Sequence, residues 1–187
     1  MQMSGEYRIP APRQAVWDAL NDPEVLKQCI PGCEEMVRSA DNAFEAKVVA
    51  KVGPVRAKFG GKVELSDIDP PNGYTISGQG QGGAAGFAKG GASVKLAEDG
   101  GETILSYTVD ASVGGKLAQI GSRLIDATAK KMAEDFFSRF AEAVAGPTVE
   151  AVPVPAEEEA KGLPPYVWVG GLVAIVVILL LVLTNLG

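Results

Sequence analysis

Apolar and polar residues alternate along the central part of the chain. In Ala43–Val52 the even-numbered positions from Phe44 onward are apolar, and the positions between them are mostly charged or polar. The same alternation returns in Val55–Leu65 and in Thr103–Val113, and turns rich in glycine or proline separate the segments. Side chains along a strand point alternately to opposite faces. The pattern therefore predicts an antiparallel meander with one apolar face.

Helical patterns stand before and after this meander. Arg13–Asn21 and Pro23–Gln28 are predicted as two short helices, the first preceded by a proline suited to a helix start. Gly115–Val144 has apolar residues at intervals of three to four positions and is predicted as one long amphipathic helix. We expect the sheet to curve around this helix, which gives an α+β fold with a curved antiparallel meander sheet.

A glycine-rich stretch, Gly78–Gly91, lies between two predicted strands, and seven of its fourteen residues are glycine. The alternation places three of these glycines on the inner face of one strand and Gly90 on the inner face of the next. This indicates either a helix packed unusually close, with Ala118 and Gly121 at the contact, or an apolar cavity that holds a ligand. The residues predicted to line such a cavity are Phe59, Val63, Tyr74, Ile76, Gly78, Gly80, Gly82, Ala88, Gly90, Tyr107, Leu117, Ile120, Leu124 and Thr128.

Phe87 lies within the same stretch and is predicted to face outward. It is a candidate for contact with lipid or for a gate at the mouth of the cavity. Gly78–Gly83 also matches the G-x-G-x-x-G pattern of dinucleotide-binding proteins, but that pattern requires a helix to follow at once. The residues that follow have the pattern of a strand, so nucleotide binding is not expected.

Composition excludes several kinds of site. The net charge is −6, which disfavours nucleic acid as a partner. The chain has no histidine, which removes the usual general base and the commonest zinc ligand. Cys29 and Cys33 are either two reduced thiols or a redox pair. Thr103 and Tyr107 are the obvious inward polar residues, so we expect neither catalytic nor metal-ligating residues and no enzymatic activity.

The C-terminal part of the chain differs from the rest. Residues 146–165 are rich in proline and glutamate and are predicted to be a disordered tether, which sets the folded domain at residues 1–145. Residues 166–187 contain no charge and are long enough to cross a bilayer. The N-terminus lacks a signal peptide, so we expect attachment to the cytoplasmic face of the cell membrane. The predicted anchor residues are Tyr166, Trp168, Leu172, Ile175, Ile178 and Leu181, the first two being interfacial aromatics.

The order of these elements resembles the START/Bet v 1-like helix-grip superfamily, also called SRPBCC. More narrowly, the sequence resembles the family of the carbon monoxide dehydrogenase G protein over about residues 1–145. The resemblance implies association with an aerobic molybdenum-containing CO dehydrogenase and a part in recruiting that enzyme to the membrane. The matching segments are Ala11–Met36, Lys51–Gly61, Gly80–Leu96 and Gly114–Phe137.

These inferences combine into one hypothesis. The protein takes a prenyl-quinone, of the menaquinone or ubiquinone type, from the bilayer into its cavity and presents it to the dehydrogenase, with no covalently bound cofactor. The competing hypothesis is a recruitment or assembly factor that transports nothing. An enzyme, as in some related folds, and a ligand-binding sensor are the remaining alternatives.

Overall fold

The structure, a computed structural model, describes residues 1–145. These residues form a seven-stranded antiparallel sheet and four helices. The elements are β1 (Gln2–Ile9), α1 (Arg13–Leu20), α2 (Pro23–Cys29), β2 (Cys33–Ala40), β3 (Ala43–Val52), β4 (Val55–Asp69), β5 (Gly73–Gln81), β6 (Phe87–Asp99), β7 (Glu102–Gly114), α3 (Lys116–Gln119) and α4 (Ser122–Ala145), with a 3₁₀ turn at Gly83–Ala85.

The strand order in the sheet is β1-β7-β6-β5-β4-β3-β2. Strands β2 to β7 are a meander in which each strand pairs with the next, and β1 closes the far edge against β7. The helix α4 packs against α2 and also contacts α1, β1 and β3. The α+β class and the sheet curved around a C-terminal helix are therefore confirmed.

Two strands were not expected from the pattern. In β1 the alternation is weakened by Gly5, yet a side chain there would collide with the ring of Tyr107, whose Cζ lies 2.7 Å from the position of a Cβ. The strand β2 has register shifts near both of its ends, and Met36 is its single buried residue. Both strands lie at sheet edges, where one side of the strand has no neighbour to bury it.

The long helix predicted over Gly115–Val144 is interrupted. Gly121 adopts φ +94°, which ends the short α3 and lets α4 begin in a new direction. The side chains that α4 buries are Ile125, Ala129, Ala133, Phe136, Phe137 and Phe140.

This burial corrects two predicted cavity residues. Leu124 is 43% exposed, and Thr128 is partly exposed and donates its hydroxyl hydrogen bond to the carbonyl of Leu124. The alternative apolar row was equally regular in the sequence. The structure selects the neighbouring row because Ala129 and Ala133 let the helix approach closely.

Candidate functional site

The inner face of the sheet follows the predicted alternation closely. Cross-strand pairing aligns Gly78 with Val63 on one side and with Gly90 on the other, and aligns Gly80 with Gly61 and Ala88. The small inner residues thus form a continuous band across four strands, which we call the glycine band. Its members are Gly61, Gly78, Gly80, Ala88, Gly90 and Ala111.

The glycine band does not open the large cavity that the missing side chains predict. A Cβ on Gly78 would lie 2.5 Å from the carbonyl oxygen of Lys62, and one on Gly90 would lie 2.7 Å from the Cα of Ala111. Both contacts are with the backbone of the neighbouring strand. These glycines therefore permit close approach of strands where the sheet bends.

An aromatic ring fills the space next to the band. Three carbons of the Phe59 ring lie within 3.0 Å of the position a Cβ on Gly82 would take, and Phe59 is fully buried. Phe59 was predicted to line a cavity, but it covers a glycine instead. The expected empty space is thus occupied by a side chain from a neighbouring strand.

A smaller apolar void lies elsewhere, between the sheet and the helices. Its volume is about 20 Å³, which is room for about one water molecule. Among the predicted cavity residues, Val63, Tyr74 and Ile76 line it. The lining residues are Leu20, Leu26, Ile30, Met36, Phe44, Val63, Leu65, Tyr74, Ile76 and Phe136.

Sequence reasoning missed most of this lining. Leu20, Leu26 and Ile30 come from α1, α2 and the end of α2, and Phe136 comes from α4. The apolar faces of the two short helices were visible in the sequence, but nothing in it indicated that these helices close the same space as β4 and β5. The remaining predicted residues on the inner face, among them Ala88, Tyr107 and Leu117, are buried without lining the void.

Aromatic rings form much of the wall around this interior. Trp17 contacts Tyr74 edge-on with ring centroids 5.5 Å apart, and Phe136 stacks with Phe140 at 5.5 Å. Tyr7 stacks on Phe137 with centroids 4.0 Å apart. Aromatic pairs at these distances stabilise a core beyond the area they bury, so the wall on this side is firm.

Few polar groups face the interior. Thr103 is completely buried, and its hydroxyl donates a 2.7 Å hydrogen bond to the carbonyl of Ala11, which ties β7 to the segment before α1. The Tyr7 hydroxyl is buried without a hydrogen-bond partner among residues 1–145, and desolvation is the main cause that raises the pKa of Tyr7. Burial likewise raises the pKa of Tyr74. The interior is thus apolar with neutral phenols at its edge.

A second feature lies where three segments meet at one end of the domain, and we call it the hinge corner. The β3–β4 turn at Gly53 packs on Leu124, whose Cδ2 lies 2.6 Å from the position of a Cβ on Gly53. The ring of Phe87 packs on Gly114, with three carbons within 3.0 Å of a Cβ position there. The hinge corner comprises 51–56, 82–89 and 114–124.

The short helix α3 inside the hinge corner stands between two glycines in the left-handed region. Gly115 has φ +72° and Gly121 has φ +94°. L-residues rarely adopt such angles, so both positions are junctions at which the chain changes direction. Ile120, a predicted cavity residue, is half-buried at this junction beside the β3–β4 turn. Phe87 is 47% exposed on the surface next to it, as predicted from its alternation.

The two cysteines are free thiols in the described chain. Cys29 is buried, and Cys33 donates its Sγ hydrogen bond to the carbonyl of Glu35. Burial raises the pKa of both thiols to about 11. A thiolate is scarce at neutral pH under these conditions, which favours the interpretation as reduced structural thiols over a redox pair.

Within residues 1–145 no cluster of acidic and cysteine side chains could hold a metal ion, and no helix there is long and apolar enough to span a membrane. The tether predicted over residues 146–165 and the anchor predicted over residues 166–187, with Tyr166, Trp168, Leu172, Ile175, Ile178 and Leu181, lie outside the described residues.

Residues 5–145, nearly the whole of this domain, match a family model for the carbon monoxide dehydrogenase G protein, CoxG. No match was found among curated proteins. Among solved structures, a conserved protein from Geobacillus kaustophilus is 31% identical with a TM-score of 0.73, and the match covers 78% of this chain and 95% of that one.

Two more distant structures share the fold alone. The Zhui aromatase/cyclase from Streptomyces sp. R1128 is 12% identical with a TM-score of 0.56, and the match covers 77% of this chain and 93% of that one. Ara h 8.0201 is 16% identical with a TM-score of 0.52, with 77% and 97% covered. One of these two is named as an enzyme, so the helix-grip fold by itself does not decide between catalysis and binding.

Proposed function

Because the chain belongs to the CoxG family of carbon monoxide dehydrogenase proteins, we propose that it is a non-catalytic binding protein for an apolar ligand that works with a CO dehydrogenase. The ligand we propose is a prenyl-quinone, carried between the bilayer and an aerobic molybdenum-containing dehydrogenase. The protein also helps to recruit that enzyme to the cytoplasmic face of the cell membrane. Residues 166–187 attach it there, and residues 146–165 let the domain move relative to the attachment point.

The observation that supports the proposal is the apolar void between sheet and helices. Every residue that lines it is apolar or aromatic, and the lining comes from α1, α2, α4 and four strands. A flexible prenyl chain needs such surroundings, because burial of apolar area stabilises it by about 25 cal/mol per Å². The ligand can return to the bilayer since lipid offers the same chain a similar free energy.

The size of the void determines how binding must occur. Pockets for organic ligands usually measure about 300–1,000 Å³, whereas this void measures about 20 Å³. Quinone entry therefore requires the domain to open. We place the moving part at α3 and the start of α4, because Gly115 and Gly121 border this segment with angles that mark junctions.

The packed interior also favours a second candidate function. A protein with no transported ligand, which only recruits or helps to assemble the dehydrogenase, needs no cavity at all. The close fit of Phe59 over Gly82 agrees with that function. The two candidates differ in a single property, the presence of a bound quinone.

The experiment is to purify the full chain in mild detergent from cells that contain quinone, extract it with organic solvent, and identify the extract by mass spectrometry. A prenyl-quinone in stoichiometric amount supports the carrier. An extract without quinone, from protein that still supports membrane association of the dehydrogenase, contradicts the carrier and leaves recruitment as the function.

A pair of matched variants sharpens this test. Val63→Phe places extra volume in the void, and Val94→Phe makes the same change at a buried inner-face position that does not line it. Each overpacks the core by about 1–3 kcal/mol. Loss of quinone from Val63→Phe alone, with membrane attachment retained in both, assigns the binding to this space.

A further inference from the structure

We infer that the hinge corner is a docking surface of the folded domain for an anionic lipid bilayer. The inference rests on the membrane association in the proposed function, and it is independent of whether a quinone is bound. It assigns an orientation to the domain, with the ends of the β3–β4 and β5–β6 hairpins and α3 directed toward the headgroups.

Exposed apolar side chains are concentrated at this corner. Of the four large hydrophobic residues that are exposed among residues 1–145, Phe87 and Leu124 both belong to it. Gly53 packs on Leu124 and Gly114 packs on Phe87, so both side chains are held by the backbone of neighbouring segments. Ala84 and Ala118 are exposed there as well. An apolar tip held in this way can enter the headgroup region with little loss of conformational freedom.

Charge at the hinge corner has the sign that an anionic bilayer attracts. Residues 48–62, which form the β3–β4 hairpin, contain four basic and no acidic residues, and residues 78–95 contain two basic and no acidic ones. Residues 114–133 contain four basic residues against the single acid Asp126. The whole chain has a net charge of −6, so this excess is local and is not a property of the composition.

Several of these cations have no partner of their own. Lys58 forms an ion pair with Glu34, but the other cations nearest the apolar tips form none within the described chain. These unpaired cations are Lys51, Arg56, Lys89, Lys116 and Arg123. Each Lys or Arg near an anionic surface strengthens association about fivefold.

The opposite end of the sheet shows why the surface is directional. The β2–β3, β4–β5 and β6–β7 turns lie there and carry Asp41, Asp69 and Asp99, together with Glu102. Arg8 pairs with both Asp99 and Glu102 at 2.6 Å and 2.8 Å, which fixes some of this charge within the domain. An anionic bilayer repels the acidic end and attracts the basic one. The domain therefore has one favoured orientation.

The experiment uses the full chain inserted in vesicles that contain brominated lipid, which quenches tryptophan fluorescence on contact. Trp168→Phe removes the tryptophan of the predicted anchor, and the probe is Phe87→Trp at the hinge corner. The matched control is Ile68→Trp, a hydrophobic position with 44% exposure in β4, away from the hinge corner. Vesicles of phosphatidylcholine are compared with vesicles that also contain phosphatidylglycerol.

We expect quenching at position 87 and none above background at position 68, only with phosphatidylglycerol present, and declining as salt is raised. Adding Lys116→Gln and Arg123→Gln should weaken docking about 30-fold, whereas Lys27→Gln with Lys95→Gln should change it little. Equal quenching at both positions, no quenching at position 87, or the same quenching without anionic lipid overturns the inference. These results are unaffected by whether solvent extracts of the protein contain a quinone.

Discussion

The two halves of the sheet's inner face solve the same packing problem in opposite ways. In one half, Tyr74, Val94 and Tyr107 stand side by side on neighbouring strands, and large side chains fill the space beneath the helices. In the glycine band, Gly78 faces Gly90, and the strands approach each other through their backbones. The first half gains stability from buried side chains. The second gains curvature, and it leads into the hinge corner, where the chain changes direction and apolar residues reach the surface.

The difference teaches that a row of glycines on the inner face is not evidence of a cavity by itself. The bend that these glycines allow brings Phe59 over Gly82 and closes the space. A ligand can enter only if this arrangement opens. Four predictions test the contrast between the packed half and the hinge corner, in order of expected effect.

The largest effect is expected from shortening a phenylalanine in the packed half. Phe136 is 1% exposed, lines the void and stacks on Phe140. Phe136→Ala should lower the free energy of unfolding by about 3–5 kcal/mol because it leaves a cavity in a firm wall. Phe87→Ala at the hinge corner should lower it by no more than about 0.5 kcal/mol. Urea denaturation of both variants measures the difference, and comparable losses would contradict the contrast.

The second prediction concerns the contact that closes the glycine band. Gly82→Ala should cost about 1–3 kcal/mol because the new methyl group collides with the ring of Phe59. Phe59→Leu removes that ring, so the double variant should be less destabilised than the sum of the two single changes. A double-mutant cycle by chemical denaturation gives the coupling energy, and strictly additive losses would show that Phe59 does not fill this space.

The third prediction compares two glycines with the same strain in different surroundings. Gly121 has φ +94° and Gly100 has φ +61°, and nothing lies within 4 Å of a Cβ at either position. Alanine at each should cost about 1–2 kcal/mol from backbone strain alone.

The consequences of these two substitutions should nevertheless differ. Gly121→Ala strains the junction of α3 and α4, so amide hydrogen exchange should become faster across residues 114–124. Gly100→Ala, in the β6–β7 turn, should leave exchange at the hinge corner unchanged. If both variants leave it unchanged, the corner does not act as a hinge.

The smallest effect is expected from pH acting on the thiols beside α2. Their pKa near 11, against an ordinary value of 9.0, makes the thiolate about 100-fold scarcer at pH 8 and slows alkylation by iodoacetamide accordingly. The unfolded chain loses its thiol protons first, near pH 9. The contribution of these thiols to stability is therefore intact below about pH 9 and decreases as pH rises toward 11. Alkylation at the rate of a free cysteine would show that the packed half opens readily.

Much of the fold was predictable because each strand kept its period of two. The inner residues from Phe44 to Leu65 and from Thr103 to Ala111 are those the alternation predicted. The edge strands β1 and β2 were not predicted, since an edge strand buries too little to need a regular pattern. The phase of α4 was not predicted either, because Leu124 and Ile125 head two apolar rows that the sequence does not distinguish.

The site was less predictable than the fold. Val63, Tyr74 and Ile76 were correctly placed beside an interior space, but its other walls come from Leu26 and Phe136, which lie far apart in the chain. No local pattern connects a residue of α2 with a residue of α4. Phe87 was predicted to be exposed because alternation alone fixes the face on which a strand residue lies.

By itself the sequence determined which side chains face inward, where the turns fall and which segments are basic, because these depend on short-range periodicity and composition. Only the tertiary structure decided that the glycines bend the sheet and leave no open cavity, since that outcome depends on Phe59 and Gly82 meeting across separate strands. It also brought Gly53, Phe87 and Leu124 to one corner of the domain. Contacts between distant segments are set by the curvature of the whole sheet, which no single segment encodes.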